Sequence, residues 1–266
     1  MKSITIILFF IFFSAILEAS NLQNIVKKVS VEPKMALIIG NDEYTNLAHL
    51  KNPLNDARLM KEVLKKNGFR IIYKENAKIK DMKKLLKKFS HRISKGGIGL
   101  YYFAGHSVNV DGKNYMLGID SSLDNKDYIE HEAIVLNNII KKMRNSGNRL
   151  NIIISDTCRN SISLNAFGHN HFSRGVGRGL TSLSNTKDIF IAYSTATGEL
   201  VRDGKEGSNG ILTKYFVENL KKEGATIREI FENTRKDIYE YTGSKQSPSA
   251  YKRIMKDFFF VLPTKR

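Results

Sequence analysis

Apolar and polar residues fall into alternating blocks along the chain, and the block type changes repeatedly between strand-like and helix-like. KMALIIG (34–40) is a continuous apolar run closed by a glycine, the pattern of a buried strand. NDARLMKEVLKKNG then sets Ala57, Met60, Val63 and Leu64 at helical spacing and stops at Gly68. FRIIY (69–73) predicts a second strand. IKDMKKLLKKFSHRI gathers Ile79, Met82, Leu85, Leu86, Phe89 and Ile93 on one helical face, with Gly96 and Gly97 closing it. IGLYYFAGHS (98–107) predicts a third strand, and Asp111-Gly112 inside VNVDGKNYML predicts a hairpin. A helix across roughly 134–144 leads to LNIIISDTC, a fourth long strand. Residues 159–187 are polar and aperiodic, a loop. IFIAYS (189–194) is another strand. Two helices follow, the second opening with Thr226 and Glu229 at capping-box spacing. DFFFVL (257–262) is expected to be the last strand. Strands alternating with helices imply an α/β domain, its mainly parallel sheet covered by helices on both faces in a three-layer sandwich.

The first twenty residues stand apart. Lys2 precedes an uncharged apolar stretch from Ile4 to Leu17, and small residues follow at Ala19 and Ser20. This is the layout of a secretory signal peptide, too short for a comfortable membrane span, with an uncleaved anchor as the rival reading. The expected organisation is a signal peptide at 1–20, a lead segment at 21–34 and one domain at 35–262. Export to a periplasm or out of the cell is the corresponding expectation.

Composition changes the picture in two places. The formal charge of +17 admits an anionic partner. Its lysines, however, are spread through every predicted helix, as on solvated amphipathic faces. No basic stripe interleaved with aromatics argues for nucleic acid; peripheral contact with an anionic envelope surface stays open. The second is Cys158, the only cysteine. An exported chain uses cysteines in pairs, as disulfides, so a lone thiol is either a small buried hydrophobe or a working group.

Two strands end in chemistry. GLYYFAGH ends in His106 and NIIISDTC ends in Cys158. Ligands of open parallel sheets bind beyond the carboxyl ends of the strands. If the two strands are neighbours, an imidazole meets a thiol there; the imidazole can activate the thiol as a nucleophile and protonate a leaving amine.

These residues carry a resemblance. ALIIGNDEY, LKNPLNDARLM, YYFAGHS, DTCRN and AYSTATG, in that order over about residues 35–262, resemble the caspase and metacaspase superfamily of cysteine peptidases, in a bacterial member. The spacing from His106 to Cys158 fits the roughly 50 residues expected of caspases. The resemblance implies a cysteine-type endopeptidase with Cys158 as nucleophile and His106 as its partner. It also implies an oxyanion hole from the backbone N–H groups of Cys158 and Ser107. Ser107 departs from the family's usual glycine, and a positive φ there would suit serine poorly. A catalytically silent fold acting as a binding module on an anionic partner is the alternative, with Ser107 its best support.

For specificity, Asp156 lies two residues before Cys158 and so on the same strand face. A carboxylate in the crevice pairs with basic side chains and repels acidic ones. Metacaspases, which cut after Arg or Lys, have an aspartate at this place. Asp56 matches their second acidic pocket residue, or is simply an acid at a helix start. Asp203 is a third, weaker acid, and neighbouring Arg202 sits near the place where caspases bind acidic substrates. The expectation is cleavage after Arg or Lys, in protein or peptide substrates. Arg174 and Arg178 in the long loop are candidate self-cleavage sites. His169 and His171 lack further ligands, so no metal or other cofactor is expected, and the resemblance leaves a calcium requirement open. Oligomeric state is not legible.

Overall fold

Residues 32–93, 97–110, 113–123, 128–158, 188–194 and 206–264 are described by the structure, a computed structural model. In chain order the elements are β1 (Lys34–Gly40), α1 (Pro53–Lys66), β2 (Arg70–Glu75), α2 (Ile79–Arg92), β3 (Ile98–Val110) and β4 (Lys113–Leu117). They continue with α3 (Ile129–Glu132), β5 (Ala133–Val135), α4 (Leu136–Asn145), β6 (Leu150–Cys158) and β7 (Ile189–Tyr193). α5 (Ile211–Leu220), α6 (Ile227–Tyr241) and β8 (Ser249–Arg253) complete the order.

The sheet runs β2-β1-β3-β6-β7-β8, parallel except for β8 at its edge. Period-two alternation divides its side chains between two cores. Ala36, Ile38, Leu100, Tyr102, Ile152 and Ile154 face α1, α5 and α6. Leu37, Ile39, Tyr101, Phe103 and Ile153 face α2 and α4. The expected three-layer α/β sandwich is therefore the observed one.

Past the sheet, β3 continues into a hairpin with β4, which pairs in turn with β5. Asp111-Gly112, the expected turn, lie outside the described residues; β3 and β4 pair antiparallel up to Val110↔Lys113. α6 opens with the anticipated capping box: Thr226 Oγ1 accepts from the Glu229 N–H, and the Glu229 carboxylate accepts from the Thr226 N–H. Contacts divide the chain at Pro33, and Lys34–Arg266 forms its own compact unit holding all three apolar clusters.

The structure corrects one expected strand. DFFFVL contributes only an isolated bridge, Thr226↔Phe259, because the edge beyond β7 is already taken by β8. Its alternation serves packing instead: Phe258 and Phe260 are buried, and the Phe260 ring lies 6.1 Å from Phe69 and 6.3 Å from Phe216. β8 itself, SAYKR, is half-exposed and too polar to announce itself.

Phe260→Ala should accordingly behave as a core truncation, costing about 3–5 kcal/mol. Urea denaturation checks this; a loss below about 1 kcal/mol would show the run to be peripheral.

Candidate active site

β3 and β6 are adjacent and parallel, and their register ends Ala104↔Asp156, Gly105↔Thr157, His106↔Cys158. The two chemistry-bearing residues of the sequence thus stand side by side where the parallel β3–β6 pairing ends, Cys158 as the last residue of β6 and His106 just before β3 turns to pair with β4. This adjacency follows from the long apolar runs that make both strands central.

Three contacts fix His106. The residue is buried, with 3% of its surface exposed. Its backbone N–H donates to the Tyr44 hydroxyl at 2.8 Å, and the two rings lie 4.6 Å apart. Nε2 sits 2.8 Å from the Ala48 carbonyl oxygen. A carbonyl can only accept, so Nε2 carries the proton and Nδ1 carries the lone pair. Nδ1 is buried with no hydrogen-bond partner among the described residues. Burial, opposed by the Ala48 bond, lowers the pKa of His106 below its ordinary 6.5, keeping the ring neutral near pH 7. Gly105 admits this arrangement: a Cβ there would lie 2.6 Å from the Tyr44 hydroxyl.

Ser107 lies on β3, paired with Met116 of β4, and is not among the described residues with positive φ. The backbone strain that serine would suffer in the left-handed region does not arise.

Two acids converge from distant parts of the chain. Asp56, on the first turn of α1 and 2% exposed, accepts the Gly210 N–H at 2.8 Å and an Asn209 Nδ2 hydrogen at 3.0 Å. It caps the start of α5 rather than only serving its own helix. Asp156, half-buried on β6, accepts from Thr213 Oγ1 at 2.6 Å. Tyr102 Oη lies 2.6 Å from the same threonine oxygen. Thr213 has one hydroxyl proton, given to the carboxylate, so Tyr102 donates to Thr213 in a one-way relay. A Cβ on Gly210 would fall 2.7 Å from Asp56 Oδ2 and 3.6 Å from Asp156 Oδ2. Both carboxylates therefore border one glycine. Burial, then the charges of Asp156 and Asp56, push the Tyr102 phenol well above its ordinary range.

Asp203, Arg202, Arg174, Arg178, His169 and His171 lie outside the described residues. No group of three or more potential metal ligands occurs among those described. Bracing groups that the sequence did not single out include Tyr44, Asn209 and Thr213. Ser194 and Gln246 are two more: Ser194 Oγ donates to the Thr157 carbonyl and Gln246 Nε2 to the Ser194 carbonyl, both at 2.9 Å. Their only sequence signal is polarity within otherwise apolar or loop segments.

A model of the Caspase domain matches residues 33–259. The chain belongs to the caspase domain family. It is 27% identical over 210 residues to the human mucosa-associated lymphoid tissue lymphoma translocation protein 1, covering 76% of this chain and 24% of that protein. The mouse homolog matches over the same shares. Horse caspase-1 is 22% identical over 270 residues, covering 92% of this chain and 63% of the relative. The chain thus spans about a quarter of the length of the first two relatives.

Tyr44→Phe should strand the buried His106 N–H, costing about 1–3 kcal/mol in denaturant unfolding. In Cys158→Ala, NMR titration should place the His106 pKa below 6.5. Because the unfolded chain then binds the proton more readily, stability should fall as pH drops through 6.5 toward the folded value, and level off below it. His106→Asn in the same background should remove that part of the slope.

Proposed function

We propose that the protein is a cysteine-type endopeptidase of metacaspase-like preference, cutting after Arg or Lys. The observation that carries this reading is the register pair His106↔Cys158 at the end of the parallel β3–β6 pairing. In the proposed reaction the Nδ1 lone pair of His106 takes the Cys158 thiol proton, and the thiolate attacks the scissile carbonyl carbon. The imidazolium returns the proton to the leaving amine; water activated by the same imidazole then hydrolyses the thioester. The Ala48 carbonyl keeps the ring in the tautomer this requires. The N–H groups of Ser107 and Cys158 would stabilise the oxyanion by being fixed where charge develops.

Specificity would come from the acids beside Gly210. A guanidinium or ammonium entering there meets Asp156, while an aspartate side chain meets two like charges. Thr213, backed by Tyr102, is the positioning residue for Asp156. Asp56 acts partly through the fold, since its Oδ1 is engaged at the start of α5. The apolar N-terminal stretch is consistent with an exported enzyme.

The test is turnover of fluorogenic peptides ending in Arg, Lys or Asp, with and without calcium. Activity on the basic peptides should vanish in Cys158→Ala and fall about tenfold to a hundredfold in kcat/KM in Asp156→Asn. Thr213→Val should raise KM for Arg peptides about tenfold with little change in kcat, and Thr213→Ser should restore it. Preference for Asp peptides would discard the acidic pocket. Unaltered turnover in Cys158→Ala would discard the dyad.

A further inference from the structure

Lysine is abundant throughout this chain, yet the two helical layers do not share its charge evenly. On the α1, α5 and α6 side, bases alternate with acids, and several are paired: Arg58 with Glu75, Arg235 with Glu232, and Lys236 with Glu240. On the α2 and α4 side the balance is lost. α2 exposes Lys80, Lys84, Lys87, Lys88 and Arg92 with Asp81 as its one acid. α4 exposes Lys141, Lys142 and Arg144 and carries no acid. None of these bases takes part in an ion pair among the described residues. Lys83 differs, since it donates to the backbone carbonyls of Glu130 and His131. The two helices adjoin: both pack on the same core, and the Ser146 hydroxyl just past α4 donates to the Ser90 carbonyl of α2 at 2.8 Å.

A lysine-rich composition alone would load both layers alike. Concentration of unpaired charge on one layer raises a local positive potential that a polyanionic surface can answer. We propose that the α2–α4 layer docks the protein on an anionic phospholipid bilayer. Three features favour lipid over nucleic acid. The exposed bases are mostly lysines, point charges suited to diffuse headgroup charge rather than forked base or phosphate readout. Among the described residues the large exposed hydrophobics are Tyr128, Tyr239, Tyr241, Met255 and Leu262, none on α2 or α4, so those two helices offer no aromatic platform for stacking bases. The same chain carries the apolar stretch Ile4–Leu17 behind Lys2, which, read as an export signal, would bring it to a membrane. The docking layer covers a side of the sheet, whereas the His106↔Cys158 pair lies where the parallel β3–β6 pairing ends, so contact with lipid does not require the site itself.

The experiment uses the compact unit Lys34–Arg266, free of the apolar stretch, in co-sedimentation with vesicles of phosphatidylcholine alone or with about one-third phosphatidylglycerol. Binding to the anionic vesicles alone, weakening steeply with salt, is expected. Each basic residue near such a surface contributes on the order of fivefold to partitioning, so reversing Lys84, Lys87 and Lys88 to Glu should lower it at least about a hundredfold. Reversing Lys65, Lys66 and Lys236, on α1 and α6, changes net charge equally and should leave partitioning within about threefold. The corresponding Lys→Gln sets, with circular dichroism melts, give the same comparison with smaller charge perturbation. Equal losses in the two sets, no binding to the anionic vesicles, or binding to duplex DNA with the vesicles ignored would each overturn the proposal. None of these outcomes depends on peptidase activity.

Discussion

The parallel register between β3 and β6 is the constraint from which the site follows. It is set along the full length of both strands by apolar residues facing two cores, so that His106 and Cys158 stand level without any local device to bring them together. A slip of one residue would turn every side chain of β6 to the other layer, exchanging Ile152 and Ile154 for Ile153 and Ser155 against α5. Packing of the whole sheet therefore specifies a juxtaposition at its rim.

The acids illustrate a different kind of order. Asp156 inherits its place from strand parity, but its carboxylate is oriented by a threonine on α5 and, behind that, by a fully buried tyrosine on β3. Asp56 belongs to α1 and is committed to the first turn of α5. A negative region is thus assembled by three helical and sheet elements on one glycine, and the burial that makes it electrostatically strong is supplied by the same core that holds the fold.

What could be read from the chain and what could not divides along physical lines. β1, α2 and the β3–β4 hairpin carry periodicities or turn chemistry that admit one interpretation, and α6 announces itself through Thr226 and Glu229. The run 257–262 misleads because aromatic alternation describes a half-buried pleat and an anchored coil equally well; only the occupancy of the sheet edge separates them. Cys158 was legible as a strand end, whereas the strand of His106 runs on to Val110 because Ser107 and the residues after it pair with β4. The partners that hold the site residues were not: Ala48 acts on His106 through a carbonyl, Tyr44 through a hydroxyl reaching past Gly105, and Thr213 acts on Asp156 through a contact spanning 57 residues. Main-chain groups and long-range hydroxyl contacts leave no local pattern.

The bond from the Gly210 N–H to Asp56 joins positions 154 residues apart. A chain synthesised from its N-terminus contains the residues of β3 and β6, His106 and Cys158 among them, before residue 210 exists. The acidic boundary around Gly210 comes later, when α5 docks. On the proposed reading, the nucleophile and its histidine would therefore be present in a nascent chain before the boundary that would receive a substrate side chain.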